Sequence, residues 1–546
     1  MKLKNEKIIM IKYIFLLLTV FALNTQAQRN TILIIADDLG PDYFGFYENS
    51  VDTVDVPNIR SLLAKGVRFK NLMSNPVCSS TRTTILTGRY SFRTGVGGIV
   101  GGIGGSKQID TAEISIPKLL KIHNPNIGKA NIGKWHLKQS TPAINLMSPL
   151  ALGYNWSEGP FIGQLPSFTN WTKYTNGIST TITTYATTEN VNNAVTWLKG
   201  QTPSNPFFIW LAFNAPHEPL HLPPAGLHTY TNLSGTAADI NAQPKQYFKA
   251  MIQAMDHEIG RLFDSLKVLN KLDSTDIIFI GDNGNTARTA QIVDLTKAKG
   301  TVYEYGVHVP LIIAGPSVVN KGRVSNALVN TTDLFATIVE NFGFTNWQTQ
   351  IPTNKPVDSK SLQPIIKNTA DSVRPWIFSE IFKLTTDSAD GKGMRNRNYK
   401  LIKFDYGMEE FYNLALDPLE SNNLLKGTLT ETDLSNYNYL CTEMTNLVGG
   451  TSFCQSGVGI KNIAMNDVIE IYPNPTHETL NIKLSENVFN NNHLTLIDCL
   501  GRVIYAQENL LPLKPYAINL SEFQKGLYVV VVKSEGISLT KKILVD

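Results

Sequence analysis

Short runs of apolar, largely β-branched residues recur along the chain: TILIIA at 31–36, FFIWLAF at 207–213, DIIFIG at 276–281 and VPLIIAG at 309–315. Runs this uniformly apolar, separated by longer mixed segments, predict strands of a mostly parallel sheet covered by helices on both faces. One of those segments, Tyr247 to Leu269, places Phe248, Met251, Ile252, Met255, Ile259, Leu262 and Phe263 on one helical stripe, the pattern of a core-facing helix. From about Trp376 the texture changes to short alternating segments (IFSEIF, YKLIKF, EEFYNLAL), which predict a small C-terminal antiparallel α+β subdomain over 376–440. Residues 441–467, with Gly449, Gly450, Gly457 and Gly459, read as a linker. Beyond it LNIKL, LTLIDCLGRVIYAQ and GLYVVVVKSEG alternate with period two between Gly, Asn and Pro turns, predicting a terminal all-β sandwich over 468–546.

The N-terminus departs from this pattern. Lys2, Lys4, Lys7 and Lys12 precede the apolar run Tyr13 to Leu23, and small and polar residues follow through Ala27. This predicts a secretory signal peptide over 1–27, since the run is about half the ~20 residues a spanning helix needs. No other stretch is long and apolar enough to span, so no stable membrane span is expected. A length of 546 residues allows a large catalytic body plus a smaller module. Hydrophobic residues at 42% and a mean hydropathy of −0.09 exclude a disordered chain and a multi-span membrane protein. Lys and Arg exceed Asp and Glu by 49 to 45, too small a surplus for the basic footprint of nucleic-acid binding. The four cysteines, Cys78, Cys441, Cys454 and Cys499, lack the CxxC spacing of a zinc site. Cys441 and Cys454 are the close pair, and a disulfide between them fits an exported protein.

In open α/β sheets ligands bind beyond the carboxyl ends of the strands, so the polar residues just after each apolar run carry the candidate chemistry. Asp37 and Asp38 follow TILIIA; Asp282 and Asn283 follow DIIFIG. Three carboxylates and an amide on two strand ends make an all-oxygen site for a hard divalent cation, Ca²⁺ or Mg²⁺. His217, in the Pro-braced turn NAPHEP, stands at the same edge, and Lys134 and His136 lie two residues apart in GKWH. Lys299, in KGTVYE, adds a further cation. Donors gathered around a hard-metal site suit a tetrahedral oxyanion ester, phosphate or sulfate.

Cys78 opens the segment CSSTRTTILTGR. That segment resembles the signature of type I sulfatases, C-x-P-S-R-x-x-x-L-T-G-R, at Cys78, Arg82, Leu86, Thr87, Gly88 and Arg89. DDxG at 37, GKWH at 133, PH at 216, DNG at 282 and KGTxYE at 299 match the same family in chain order. The resemblance covers about residues 29–440 and implies a catalytic domain over 28–440. Its fold would be alkaline-phosphatase-like α/β, and its activity that of an arylsulfatase-like sulfuric ester hydrolase. It implies that Cys78 is converted to formylglycine by a formylglycine-generating maturation enzyme, and that the hydrated aldehyde is both metal ligand and nucleophile. One Ca²⁺ would be held by Asp37, Asp38, Asp282, Asn283 and modified Cys78. Arg82 would steady the formylglycine, Lys134 and Lys299 would bind sulfate oxygens, and His136 would hydrogen-bond the diol and take its proton. His217, with Lys299, would protonate the departing alcohol. Ser80 stands where the signature has Pro, Thr81 where Ser is common, and Tyr305 and His308 replace Gly and Arg of the commoner GGxRVP form.

The terminal block resembles the C-terminal sorting domain of type IX secretion cargo, on its YPNP opening at 472, GRV at 501 and GLYVV at 526. That implies type IX secretion machinery as a partner and a secreted or outer-membrane surface-attached protein. A sulfated polysaccharide or oligosaccharide is the substrate class that fits export. Trp156, Trp171, Lys173 and Tyr174 in the insert 149–183 are candidate sugar contacts. The alternatives are a phosphodiesterase or phosphonate monoester hydrolase of the same superfamily, and a non-catalytic protein that binds sulfated glycans.

Overall fold

The computed structural model describes residues 29–449, apart from 49 and 203, and 469–546 with breaks at 485–491, 499–501, 512 and 535–536. The expected signal peptide, Cys454 and Cys499 lie outside the described residues. Cys441 is disulfide-bonded.

Ten strands form the central sheet: β1 (Asn30–Ala36), β2 (Gly66–Met73), β3 (Gly128–Gly133), β4 (Trp156–Gly159), β5 (Trp171–Thr175), β6 (Ile178–Ile182), β7 (Phe207–Ala212), β8 (Thr275–Gly281), β9 (Leu311–Ala314) and β10 (Arg323–Asn330). Their order is β10-β2-β9-β8-β1-β7-β3-β4-β5-β6. β1 lies between β7 and β8, parallel to both, with Ile35 opposite Ala212 and Ala36 opposite Gly281. The three strands therefore end level, which brings the residues after them to one edge.

Both faces are covered, as the uniformly apolar strands require. Ile32, Ile34, Ile209 and Phe279 point into one core with Met251 and Met255 of the helix Pro244–Val268 and Val191 and Ala194 of the helix Ala186–Lys199. Leu33, Ile35, Trp210 and Ile278 point into the other, with Ile85 and Leu86 of the helix Cys78–Thr87 and Leu334 and Phe335 of the helix Asp333–Asn341.

Three features differ from the pattern-based expectation. β9, the VPLIIAG run, is antiparallel to both β2 and β8. After β8 the chain stays at the carboxyl edge through residues 282–310, so it re-enters the sheet from that edge and must run backwards. The insert 149–183 is a sheet extension rather than an aromatic subsite. Trp171 is buried with Nε1 donating to the Thr184 carbonyl at 3.1 Å, and Trp156 Nε1 donates to Glu158 Oε2 at 3.1 Å. Lys173 is held by Glu158 and Glu189 at 2.9 and 2.8 Å, and Tyr174 packs on Phe161 with ring centroids 5.9 Å apart. The helix Glu431–Val448 continues eight residues into the expected linker.

The strands Ile377–Ile381, Gly391–Arg395, Tyr399–Phe404 and Glu409–Asn413 form an antiparallel sheet in chain order. Near the C-terminus, a three-stranded and a four-stranded antiparallel sheet enclose Leu480, Ile482, Leu494, Leu496, Val530, Val532 and Ile543. Among the described residues no helix is long and apolar enough to cross a membrane.

Glu380, on the strand Ile377–Ile381, is 1% exposed. Its Oε1 accepts the Phe92 N–H at 2.8 Å, while Oε2 has no partner among the described residues. Burial pushes its carboxyl up to about 7, against about 4.3 in an unfolded chain. Between those values the native state holds the proton more tightly than the unfolded state, so Glu380 contributes stability below pH 4.3 that is lost as pH rises to 7. Glu380→Gln should therefore match the wild type near pH 4.5 and exceed it at pH 8, by on the order of 3 kcal/mol. Denaturant titrations at the two pH values measure this.

Candidate functional site

The site begins with Asp37 and Asp38, the first residues beyond β1. Asp38 adopts the left-handed region with φ 62°, which Asp tolerates better than most residues. This conformation lets its N–H donate to Asp282 Oδ1 at 3.0 Å, tying the end of β1 to the end of β8. Cys78 is the first residue of the helix Cys78–Thr87, whose ten residues are all buried. Its thiol thereby sits at the positive end of the helix dipole, 3.2 Å from Asp37 Oδ1 and 3.9 Å from Asp38 Oδ1. Burial, reinforced by Asp282 and Asp37, pushes the thiol pKa up, so unmodified Cys78 is a protonated thiol and a poor nucleophile at neutral pH.

Arg82, one helical turn on, is fully buried and donates from Nε and Nη2 to Asp282 Oδ2 at 3.1 and 2.8 Å. Its Nη1 donates to the Lys134 carbonyl at 3.1 Å. Lys134 Nζ contacts Asp37 Oδ2, and Lys299 Nζ contacts Asp38 Oδ1 and lies 3.6 Å from Cys78 Sγ. His217 Nδ1 faces the Glu218 carbonyl at 2.7 Å and must carry the proton there, which leaves Nε2 facing Asp38 Oδ2 at 3.6 Å.

Opposing effects set the charges. Burial alone would raise the Asp37 pKa, but Lys134, His217, Arg82 and Lys299 hold it well below the usual carboxylate range. Asp282 is pushed up to about 6 by burial and by Asp37, against the pull of Arg82. Burial would lower the Lys299 pKa, but Asp38 and its neighbours raise it, and the ammonium stays charged.

His136 lies at the rim of this cluster. Its Nε2 faces the Val100 carbonyl at 3.2 Å, and a carbonyl only accepts, so Nε2 carries the proton. Nδ1 is then a buried lone pair without a partner among the described residues. Burial, with Lys134 and Arg82, lowers the His136 pKa well below its ordinary value, so the ring is neutral. The ring lies where a Cβ on Gly163 would fall, 2.3 Å from its Cε1, so residue 163 must be glycine for His136 to hold this position.

Every sequence-derived site residue is thus brought to this edge. Asp37, Asp38, Cys78 and His217 each present a ligand atom, all within 4.8 Å of one another. Asp38 Oδ2 and Asn283 Oδ1 are buried oxygens with no hydrogen-bond donor among the described residues, while Asn283 Nδ2 donates to Asp38 Oδ1 at 2.8 Å. Orphaned oxygens beside a carboxylate pair fit a hard divalent cation. Sequence reasoning did not single out Val100, Asp42 or Asn285. Asn285 offered one signal, two residues beyond Asn283 in the same turn; Val100 acts through its backbone, which leaves no mark in side-chain identity.

Residues 29–344 match the family model described as Sulfatase, and 297–444 match N-sulphoglucosamine sulphohydrolase, C-terminal. Residues 470–546 match the Secretion system C-terminal sorting domain. Among curated relatives, an N-acetylgalactosamine-6-sulfatase of Homo sapiens is 28% identical over 374 residues, 62% of this chain and 65% of that protein. The chain therefore spans just under two thirds of that relative's length. An ulvan-active sulfatase of Formosa agariphila is 23% identical, over 74% of this chain and 79% of the relative. The crystal structure of Ps i-CgsB in complex with k-i-k-neocarrahexaose superposes with TM-score 0.62 at 24% identity, covering 77% of this chain and 93% of that one. That likeness bears out the alkaline-phosphatase-like α/β fold expected from the sequence. With its Sulfatase match covering more than half of its length, and the sorting-domain match at its end, this chain belongs to the sulfatase family and carries a secretion-system C-terminal sorting domain.

Proposed function

We propose that the protein is an exported sulfatase that hydrolyses sulfate esters of glycans, using Cys78 as formylglycine and one calcium ion. The observation that carries this reading is the convergence of Asp37, Asp38, Cys78, Lys299 and His217, with Asp38 Oδ2 unpartnered among the described residues. Asp37, Asp38 and Asp282 are matched by Arg82, Lys134 and Lys299. Three carboxylates face three basic side chains, so a divalent cation gives the site a positive surplus that suits an anionic ester. Glycan substrates are supported by the relatives, among them the N-acetylgalactosamine-6-sulfatase and the ulvan-active sulfatase. Export and surface attachment are supported by the sorting domain at 470–546 and by the signal-like N-terminus.

Asp37, Asp38, Asp282 and Asn283 would hold the calcium, together with modified Cys78. The ion would supply Lewis acidity and the aldehyde hydrate a nucleophilic oxygen. Lys134 and Lys299 would turn from the carboxylates to the sulfate oxygens, neutralising charge that grows in the transition state. His217 Nε2, protonated, would give its proton to the leaving alcohol, with Lys299 beside it. His136, neutral with a free Nδ1, is suited to take a proton from the hydrated residue when sulfate leaves. Arg82 stays fixed on Asp282, keeping the helix start and the end of β8 in register.

Mass spectrometry of the tryptic peptide Asn71 to Arg82, from protein made in its native producer, should show an aldehyde at position 78. Unmodified cysteine throughout would overturn the formylglycine mechanism. The same preparation should turn over an aryl sulfate faster than an aryl phosphodiester; the reverse preference would favour the phosphodiesterase alternative. Gly163→Ala, which drives a Cβ into the His136 ring, should lower kcat for the aryl sulfate by about 100-fold, the scale of a lost general base.

A further inference from the structure

Behind the cluster, one buried amide joins three of the segments that carry it, the ends of β1 and β8 and the stretch bearing Lys299. Asn285 Oδ1 accepts the Gly40 N–H at 2.8 Å, two residues beyond Asp38. Its Nδ2 donates to Asp42 Oδ1 at 2.7 Å and lies 3.1 Å from the Tyr305 hydroxyl. Its backbone carbonyl accepts the Lys299 N–H at 2.9 Å. Tyr305 completes the arrangement, donating its O–H to Asp42 Oδ2 at 2.5 Å and accepting the Gln291 N–H at 2.7 Å. Asn285 is fully buried and Asp42 is 9% exposed. All the polar atoms of the Asn285 side chain are used, one by the turn that bears Asp37 and Asp38 and the other by a carboxylate on the same segment. The Tyr305 phenol belongs to the short helix Glu304–Val307 that follows Lys299, at a position that is glycine in the commoner form of the motif, and a glycine there would leave Asp42 Oδ2 without this donor.

We propose that Asn285, braced by Asp42 and Tyr305, is a positioning residue that sets the Asp37–Asp38 turn and Lys299 at their working separation. The inference rests on the functional reading above and adds residues that touch neither substrate nor metal. Asp38 and Lys299 are 261 residues apart in sequence, yet the segments bearing them meet at Asn285 through two hydrogen bonds, one to its side chain and one to its backbone. A cation site needs its carboxylates held at fixed separation, and a displacement of about 1 Å at a reacting centre can cost on the order of 100-fold in rate. Removing the side chain frees the turn while the backbone bond to Lys299 stays, so metal affinity should respond together with turnover.

The test uses the full chain with Asn285→Ala and, as the gentler change, Tyr305→Phe. Calcium affinity is measured by calorimetry, kcat and KM on an aryl sulfate at saturating calcium, and Tm separately. Asn285→Ala should weaken calcium binding and lower kcat each by about 10- to 100-fold, the scale of lost outer-sphere partners, with KM changed far less. Tyr305→Phe should shift both in the same direction by a smaller factor. A fall in Tm with wild-type calcium affinity and wild-type kcat in both variants would show a purely structural role and overturn the proposal. Should Asn285→Ala fail to fold, Tyr305→Phe alone decides on the same readouts. Wild-type protein that binds calcium but hydrolyses no sulfate ester overturns the functional reading instead, and the calcium affinities of the variants still decide the positioning role.

Discussion

The compensation of buried charge at the carboxyl edge of β1 and β8 is the constraint on which the rest of the structure depends. Asp37, Asp282, Arg82 and Lys134 have no exposed surface, and Asp38 is 1% exposed. Removing such groups from water costs several kcal/mol for each ion, and only close pairing with further hydrogen bonds offsets it. The chain supplies both. Arg82 makes two bonds to Asp282 and a third to the Lys134 backbone, so one guanidinium holds a helix, a strand end and a loop. The apolar faces of the sheet exclude water on either side, which makes each pairing strong and each unpaired oxygen conspicuous.

That environment explains why the two unpartnered oxygens matter more than the paired ones. A buried carboxylate oxygen without a donor is expensive, and the neighbouring groups do not relieve it. Asn283 gives its amide N–H to Asp38 Oδ1, and its own oxygen has no donor among the described residues. His217 stops 3.6 Å short of Asp38 Oδ2. The protein thus holds an arrangement that is poor for its own stability, as sites that bind something commonly do.

Most of this was legible in the sequence. The strand ends carrying Asp37, Asp38, Asp282 and Asn283 follow uninterrupted apolar runs, and such runs have one reading in a sheet buried on both faces. What escaped depends on three-dimensional closure. β9 reads like the parallel strands of the same sheet because an apolar run carries no direction. Trp156, Trp171 and Tyr174 look like a sugar platform until β4, β5 and β6 pair and draw them against the sheet. The helix Glu431–Val448 runs past the expected boundary at 440 and stops only at the first glycine, Gly449, because its buried positions, Tyr437, Leu440, Cys441 and Met444, carry it on. The Val100 carbonyl that fixes the tautomer of His136 is backbone, and any residue type would supply it.

The sequence separations inside the cluster have a consequence for how the protein comes into being. Asp38 meets Asp282 across 244 residues and Lys299 across 261, while Cys78 and Arg82 occupy a helix that the finished sheet encloses completely. Contacts of such long range form late, since the loops they close must be ordered first. During synthesis, the segment around Cys78 therefore leaves the ribosome about two hundred residues ahead of Asp282 and Lys299, the last of its partners. At ribosomal speeds of roughly 5–20 residues per second, this leaves an interval of some tens of seconds or less in which that segment is not yet enclosed. The Cys78 conversion proposed above would then be a race against the completion of the sheet, and slowing β8 in joining β1 would lengthen the time available without altering a residue that reacts.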